Sequence, residues 1–422
     1  MAHFWQSVGQ SVCRSVSTGS WLTRERVRGY SLLLLGLMLA AGLAWVALSD
    51  HLIDRNGKPL GTDFSNVYAA GTLTLQGRAP DAYDPPMQHA AEQAVFGGRD
   101  VPFFGWHYPP FFLAVAAAVA MLPYAFGLLL WLVSSGLAYV AVIRAAVPER
   151  DGLRRDAVLV ALAFPAVFVN IGHGQNGFLT AALLGGALLT LDRRPVLAGV
   201  LIGLLAYKPQ FGVLIPLALV VSGRWTTIAA AAATVIALIA ATFAVLGTDI
   251  WRAFAASTTF TQQVVLEQGG TGWEKIQSIF SATRMWGAGL PLAYASQLAL
   301  ATLLAISLAW LWRSNADGNL KASALATACL LATPYVLDYD LMVLAIAIVF
   351  FVRHGLARGF HAGEISMLAA AWIVPLLTRT VAGATGIPLG LLVGLALYAM
   401  TLRRALADRA HVTRPDHRFA RA

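Results

Sequence analysis

Apolar stretches long enough to cross a lipid bilayer recur along the whole chain, and this pattern limits the fold more than any other feature. Twelve such stretches fall at residues 30–49, 124–143, 157–172, 176–191, 195–207, 210–222, 226–247, 291–312, 321–337, 340–352, 364–380 and 386–402. A helix needs about 20 mostly apolar residues to cross a hydrocarbon core of roughly 30 Å. Charged residues make up 12% of the chain, against about 25% in a soluble domain. We therefore expect an all-α polytopic membrane protein with about twelve transmembrane helices.

The cysteine content and the net charge exclude further classes of protein. Cys13 and Cys329 are the two cysteines of the chain and stand in unrelated contexts. This excludes a disulfide scaffold and a cysteine-ligated metal centre, and we expect no metal and no other cofactor. A net charge of +9 would favour a nucleic-acid partner in a soluble domain. In a membrane protein the excess lysine and arginine marks cytoplasmic loops instead, so we expect no nucleic-acid partner.

One topology sorts the charges by sign. With both termini in the cytoplasm, 21 of the 30 basic residues fall on the inner side, whereas the outer segment 50–108 has four basic and seven acidic residues. This agrees with the positive-inside rule. We expect a multi-pass membrane protein with both termini on the cytoplasmic side. Its parts would be a cytoplasmic basic tail at 1–29, a single transmembrane domain at 30–402 and a cytoplasmic basic tail at 403–422.

Two outer segments are longer than a connection requires, which is typical of functional loops. They are a large loop at 50–123 and a second loop at 248–290. Residues 109–122 are apolar but too few to span, so we expect a short helix that dips in from the outer face. A complete span there would place the arginine-rich loop 144–155 outside. Apolar residues recur at helical spacing over 64–75, which predicts an amphipathic helix on the outer leaflet.

Asp63 would stand at the N-terminus of that amphipathic helix, and two roles are open for it. Its carboxylate can cap the helix by accepting hydrogen bonds from the first backbone N–H groups. It can also act as a general base that takes a proton from a hydroxyl, because the helix dipole favours the ionised carboxylate. The two roles are compatible with each other.

Other polar residues interrupt the apolar runs, where a charge at the bilayer centre costs at least about 2.5 kcal/mol. Lys208 lies at such an interruption and must reach the membrane surface, pair with an acid or meet an anion. One hypothesis is that Lys208 binds a phosphate, with Gln175 and Asn176 donating hydrogen bonds. The alternative is an internal ion pair between Lys208 and Asp338 or Asp340.

Aromatic residues gather near the expected outer surface of the membrane. Aromatic side chains anchor membrane proteins at the water–lipid boundary, and they also stack on sugar rings, so both interpretations stay open. The late Asp-Tyr-Asp sequence suggests a metal-bound nucleotide sugar only weakly, because it falls on the outer side. The candidates for contact with a sugar or an acceptor are Tyr68, Tyr83, Trp106, His107, Tyr108, Asp338 and Asp340.

The ordered set of motifs resembles glycosyltransferase family 87 over about residues 30–345. The set comprises Asp63, a turn with Gly77 and Tyr83, Tyr-Pro-Pro at 108–110, Gly-Gln-Asn at 174–176, Lys-Pro at 208–209 and Tyr-Asp-Leu at 339–341. The resemblance implies a GT-C type fold with short outer-face helices in the first large loop. It also implies transfer of a sugar, typically mannose, from a polyprenyl phosphate to a lipid or glycan acceptor outside the cytoplasm, with Asp63 as the catalytic base. A protein of this kind would lie in a bacterial inner (plasma) membrane with its active site on the periplasmic side.

This reaction fits the residues of the chain. The donor already carries a phosphate leaving group, so the enzyme must deprotonate an acceptor hydroxyl and stabilise the departing anion. Asp63 would do the first, and Lys208, with Arg379 or Gln175, would do the second. A single base with in-line displacement predicts inversion at the anomeric carbon. The expected partners are the polyprenyl-phosphate sugar, a glycolipid or glycan acceptor and membrane lipids.

Two other functions compete with this hypothesis. A chain with many spans and charges within them is also compatible with a secondary transporter or a flippase for lipid-linked sugars. Transporters usually show two related halves, whereas this chain has its largest loop directly after the first span and no loop of matching length after the seventh. A non-catalytic scaffold is the third hypothesis. The acceptor, the donor sugar, the linkage and the oligomeric state stay open. For the acceptor and the donor sugar, one reason is that the chain has Asp338 and Asp340 where the family has a late histidine.

Overall fold

The protein is a bundle of helices. The computed structural model describes residues 10–11 and 13–412, and it contains no β-strand within them. The α-helices are α1 (Arg24–Ala47), α2 (Phe64–Leu75), α3 (Pro85–Val95), α4 (Leu113–Ala120), α5 (Tyr124–Ala146), α6 (Leu153–Leu162), α7 (Pro165–His173), α8 (Gly177–Thr190), α9 (Pro195–Leu204), α10 (Ile215–Val221), α11 (Trp225–Leu246), α12 (Asp249–Phe260), α13 (Ile279–Met285), α14 (Leu290–Arg313), α15 (Gly318–Leu331), α16 (Met342–Arg358), α17 (Glu364–Ile373), α18 (Thr378–Thr385) and α19 (Leu389–Val412). The prediction of an all-α polytopic membrane protein is confirmed.

Fewer helices are long enough to span a membrane than the twelve predicted. Within the described residues, six have the length and composition to cross alone, namely α1, α5, α11, α14, α16 with the turn before it, and α19. Two bent pairs, α6 with α7 and α17 with α18, bring the number to eight if each pair is one span. The stretches at 176–191, 195–207, 210–222 and 321–337 form shorter helices. Pro209 and Pro334 lie where such stretches break, because proline has no N–H to continue a helix.

Segments predicted to share the inner side of the membrane lie together at one end of the bundle. Arg24 and Arg28, at the start of α1, form ion pairs with Asp156 of α6 at 2.5 and 2.6 Å. The N–H of Gly363 donates to the carbonyl of Ser17 at 2.7 Å. The N-terminal segment therefore meets both the arginine-rich loop before α6 and the loop before α17.

The two long loops pack against each other at the opposite end of the bundle. Helices α1 and α5 run from one end to the other. The first loop contains α2, α3 and α4, and the second contains α12, the π-helical segment Thr261–Glu267 and α13. The rings of Tyr83 and Phe254 lie 5.6 Å apart. The imidazole Nδ1 of His107 lies 2.8 Å from the hydroxyl of Thr261. These contacts make one structured cap from two segments that are far apart in the chain.

Helix α2 is buried within this cap and does not lie on the outer leaflet, so that prediction was wrong. Phe64 and Leu73 are 0% and 2% exposed. Gly71 lies on the same face as Phe64, and it lets α4 approach so closely that a Cβ atom there would lie 2.1 Å from the carbonyl oxygen of Ala116. Leu73 and Asn66, on the opposite face, are 2% and 4% exposed, so protein covers both faces of the helix.

Two further boundaries bear on the predictions. Helix α4 has eight residues, or roughly 12 Å of helix, which is too short to cross a membrane, as expected for 109–122. The predicted C-terminal tail at 403–422 begins inside helix α19, which continues to Val412. Residues 413–422 and the first nine residues of the predicted N-terminal tail lie outside the described part of the chain.

Candidate active site

A cavity of about 510 Å³ lies between the cap and the ends of the bundle helices. Both long loops contribute to its wall, together with the end of α7 and the turns around α16 and α18. Seven of the twelve residues predicted for the site line it, namely Asp63, His107, Tyr108, Gln175, Lys208, Asp338 and Arg379. Asp63 and Arg379 share this cavity although they are 316 positions apart in the chain.

Asp63 points into this cavity and does not cap α2. It occupies the N-cap position, but its carboxylate accepts no hydrogen bond from the N–H groups of the helix. Instead Oδ2 accepts a hydrogen bond from the side-chain amide of Gln175 at 2.8 Å, and Oδ1 accepts one from the Thr62 hydroxyl at 3.4 Å. The capping role considered for Asp63 was therefore wrong, and the carboxylate, 19% exposed, is available for chemistry.

The surroundings keep Asp63 ionised. Burial by itself raises the pKa of this carboxyl. The charge of His173, the hydrogen bond from Gln175 and the charge of Lys275 act in the opposite direction and hold the pKa of Asp63 below its ordinary value. A carboxylate that is ionised and partly accessible can accept a proton from a bound hydroxyl.

His173 is part of this site, although the sequence analysis did not select it. Its Nδ1 lies 2.8 Å from the Thr62 hydroxyl and 3.8 Å from Oδ1 of Asp63. It is the last residue of α7, and Gly174 follows in the left-handed region with φ +59°. A Cβ at Gly174 would lie 2.6 Å from the Cβ of Phe64, so this turn lets α7 end against the start of α2. The polar Gly-His-Gly-Gln-Asn-Gly interruption was the available signal.

A chain of hydrogen bonds orients the amide that contacts Asp63. The hydroxyl of Tyr108 donates to Oε1 of Gln175 at 3.1 Å and accepts from Nδ2 of Asn176 at 2.7 Å. Because Oε1 is occupied, the amino group of Gln175 faces the carboxylate. Burial raises the pKa of Tyr108, so its hydroxyl keeps its proton. Asn176 supports this chain from behind the cavity wall.

Lys208 forms the ion pair that was the alternative to phosphate binding. Its Nζ lies 2.5 Å from Oδ1 of Asp340, and the two side chains are 4% and 1% exposed. The other oxygen of Asp340 accepts the N–H of Leu337 at 3.0 Å. The ammonium also lies 5.0 Å from the ring of Tyr339. The charge of Lys208 is therefore already balanced where it meets the cavity.

Two other cations face the cavity. Arg379, at the start of α18, was among the predicted residues, and Lys275, in the 3₁₀ turn Trp273–Lys275, was not. Among the described residues neither has a carboxylate within 4.0 Å. Burial and the positive charge of Arg379 lower the pKa of Lys275, which shows that the two cations are close enough to repel each other. Such a pair suits an anion placed between them.

Three of the predicted aromatic residues lie away from the cavity wall. The hydroxyl of Tyr68 donates to the carbonyl of Leu122 at 2.8 Å, and that of Tyr83 donates to the carbonyl of Tyr108 at 2.8 Å. Trp106 is 3% exposed and packs among other rings. Their contacts stabilise the cap, and the predicted contact with sugar is left to His107, Tyr108 and Asp338, which line the cavity. Burial lowers the pKa of His107 to about 4, so this imidazole is neutral at pH 7.

The part of the chain described by the structure groups no three histidine, cysteine, aspartate or glutamate side chains that could hold a metal ion. The profile of glycosyltransferase family 87 matches residues 106–334, which is more than half of the chain. The chain belongs to glycosyltransferase family 87. The resemblance found in the ordered motifs is thereby confirmed, as is the GT-C type of architecture. No curated protein and no solved structure matches the chain. The matched segment includes Gln175, Lys208 and Lys275, while Asp63 and Arg379 lie outside it.

Proposed function

We propose that this family 87 glycosyltransferase moves a hexose such as mannose from a polyprenyl-phosphate donor to a lipid or glycan acceptor, with Asp63 as the general base. The observation that carries the proposal is that one cavity contains both a carboxylate that can accept a proton and two cations that can bind a phosphate. An ionised carboxylate oriented by Gln175 lies in the same cavity as Lys275 and Arg379, two cations without a carboxylate partner within 4.0 Å among the described residues.

The reaction assigns one step to each side of the cavity. The acceptor hydroxyl gives its proton to Asp63 as its oxygen bonds to the anomeric carbon. The bond between that carbon and the phosphate oxygen breaks, and the electron pair leaves with the phosphate. Lys275 and Arg379 stabilise the negative charge that develops there. A single displacement of this kind inverts the anomeric configuration.

We assign the phosphate to Lys275 and Arg379 in preference to Lys208. Lys208 is neutralised by Asp340 at 2.5 Å and is 4% exposed, so binding a phosphate there would require breaking a buried ion pair. Lys275 and Arg379 repel each other, and a phosphate between them would remove that repulsion. The role first considered for Lys208 thus passes to a residue of the second long loop.

The distribution of charge supports a reaction outside the cytoplasm of a bacterial inner membrane. The basic segments that meet the N-terminus, such as the loop at 144–155, lie at the end of the bundle opposite to the cavity. The positive-inside rule assigns that end, with both termini, to the cytoplasm. The cavity then opens toward the periplasm and the outer leaflet.

Transfer by the purified full-length protein in lipid nanodiscs tests the proposal. The probes are radiolabelled polyprenyl-phosphate mannose and a lipid extract as acceptor. We expect Asp63→Asn, which preserves shape, to lower kcat about 10²–10⁴-fold. We expect Lys275→Gln and Arg379→Gln each to lower kcat/KM for the donor about 10–100-fold, because each removes one stabilising charge.

Lys58→Gln is the matched control, since Lys58 also lines the cavity and is exposed. We expect it to change kcat/KM by less than about threefold. Activity of Asp63→Asn within fivefold of wild type would refute the assignment of the base. An equal loss in Lys58→Gln and Lys275→Gln would show that the overall positive charge of the cavity, and not a particular phosphate site, is responsible.

A further inference from the structure

A buried carboxylic acid lies behind the cavity wall, outside the residues assigned to the transfer reaction. Glu92 is on helix α3 and is 0% exposed. Its Oε2 accepts the N–H of Phe104 at 3.1 Å, and its Oε1 accepts the N–H of Gly105 at 3.3 Å. No lysine, arginine or histidine nitrogen lies within 4.0 Å of it in the described part of the chain. A buried glutamate without a cation is costly, so its presence calls for a reason.

The two amides held by Glu92 are at the centre of the segment 102–109, which we call the wall loop. Every residue of the wall loop except Trp106 lines the cavity. Gly105 has a φ of +66°, and a Cβ there would lie 3.0 Å from both His107 and Phe103. The wall loop is therefore tightly turned, and Glu92 ties the tip of that turn to α3.

A second hydrogen bond from helix α3 connects the turn that carries Glu92 to the segment that follows Asp63. The side-chain amide of Gln88, one helical turn before Glu92, donates to the carbonyl of Asn66 at 2.9 Å. Asn66 lines the cavity three residues after Asp63. The Oε1 atom of Gln88 is buried without a hydrogen-bond partner. The helix turn that carries Glu92 is therefore also hydrogen-bonded to the segment that follows Asp63.

The protonation state of Glu92 changes near neutral pH. Burial raises its pKa to about 8, and the charge of Asp63 acts in the same direction. The hydrogen bonds from Phe104, Gly105 and Gln88 act against this increase. The phenol of Tyr124 also interacts with this carboxyl. Below pH 8 Glu92 is the neutral acid that burial favours. Above pH 8 it is a buried carboxylate with no cation beside it, and opening of the wall loop would let water reach the charge and lower its free energy.

We propose that Glu92 is a positioning residue, which holds the wall loop against α3 and thereby sets the positions of His107 and Tyr108 in the cavity. The effect on catalysis rests on the transfer reaction proposed above, whereas the restraint on the wall loop does not. Glu92 touches no substrate and acts through the two backbone amides. The restraint loosens as Glu92 loses its proton, because opening of the wall loop exposes the charge to water, so binding of the sugar substrate weakens as the pH rises through the titration of this acid.

Hydrogen–deuterium exchange of the full-length protein in nanodiscs tests the restraint without any substrate. The measured quantity is the protection of the 102–109 amides after correction for intrinsic exchange rates, at pH 6.5 and pH 9. We expect wild type to be about tenfold less protected at pH 9 than at pH 6.5, and Glu92→Gln to have equal protection at both values, below that of wild type at pH 6.5. Asp100→Asn is the matched control, because Asp100 is an exposed carboxylate close to the same loop. It should behave as wild type does.

Steady-state kinetics with polyprenyl-phosphate mannose test the consequence. Glu92→Gln should raise the KM for the donor at pH 6.5 about tenfold and leave kcat within about threefold, and it should abolish the increase of KM between pH 6.5 and 9. Protection that is independent of pH in wild type, or a loss of kcat at unchanged KM in the variant, would overturn the proposal. The wild-type comparison needs no variant to fold. If wild type transfers no sugar at all, the proposed function fails, while the exchange experiment still decides the role of Glu92.

Discussion

The buried pair of Lys208 and Asp340 allows a structural and a catalytic role to be separated. Asp340→Asn removes the negative charge of the pair. Its amide oxygen can still accept the N–H of Leu337, which lies 3.0 Å from the carboxylate of wild type. It leaves a charged lysine, 4% exposed, beside the rings of Phe211 and Tyr339. Removing one partner of a buried ion pair lowers the free energy of unfolding by about 3–5 kcal/mol. We expect a loss of stability of that size in chemical unfolding of the purified protein in detergent.

The double variant Lys208→Met with Asp340→Asn removes the second charge as well. Methionine has a similar length and makes favourable contacts with aromatic rings, here Phe211 and Tyr339. We expect most of the lost stability to return, to within about 1 kcal/mol of wild type, because replacing both members of a buried ion pair is often neutral. If Lys208 is structural, the KM of this variant for polyprenyl-phosphate mannose should stay within about threefold of wild type.

Two results would refute this reasoning. A double variant that is stable but has a 100-fold higher KM for the donor would show that Lys208 binds the phosphate in the working enzyme. A single variant Asp340→Asn that is as stable as wild type would show that the pair contributes nothing to folding. Lys321→Met is the control for the loss of a lysine elsewhere, since Lys321 lies at the far end of α15 and outside the cavity.

Three further predictions concern the cap. Gly71→Ala should destabilise the protein by about 1–3 kcal/mol in chemical unfolding, because its Cβ would clash with the backbone of α4; Gly36→Ala, which meets nothing within 4 Å, should not. Tyr108→Phe should cost about 2 kcal/mol and lower kcat about tenfold in the transfer assay, because Gln175 loses the bond that orients its amide; unchanged kcat would contradict this. Burial raises the pKa of Glu92 to about 8 from an ordinary value of 4.5, so its contribution to stability is complete below about pH 4.5 and is lost as the pH rises through 8. The midpoint of thermal unfolding should therefore fall over this interval, and it should fall less in Glu92→Gln.

The spacing of apolar residues was enough to predict helices throughout the chain, because the bilayer imposes the same length and polarity on every span. It overestimated the number of full spans. An apolar run such as 210–222 has the composition of a span, but Pro209 and Pro216 restrict the helix to Ile215–Val221. Hydropathy alone does not distinguish a short helix surrounded by protein from one that crosses the membrane.

Single side chains of the site were predictable where their chemistry is unusual for their position. Asp63 after the first span and Lys208 at a helix break stood out because a charge near lipid needs a partner. The amphipathic pattern of α2 was misleading, because the face opposite to Gly71, with Asn66 and Leu73, is buried in protein and not in contact with water or lipid headgroups. Whether a weakly polar face is covered depends on a neighbour that the local pattern does not contain.

The sequence by itself determined which residues must find partners, since the cost of an isolated charge in an apolar environment is a local property. Only the tertiary structure decided who those partners are. Lys208 meets Asp340 across 132 positions, and Gln175 meets Asp63 across 112. Lys275, in an ordinary polar loop, enters the cavity because the second long loop folds over the first. Contacts of this kind follow from packing between distant segments, and no period or motif within one segment encodes them.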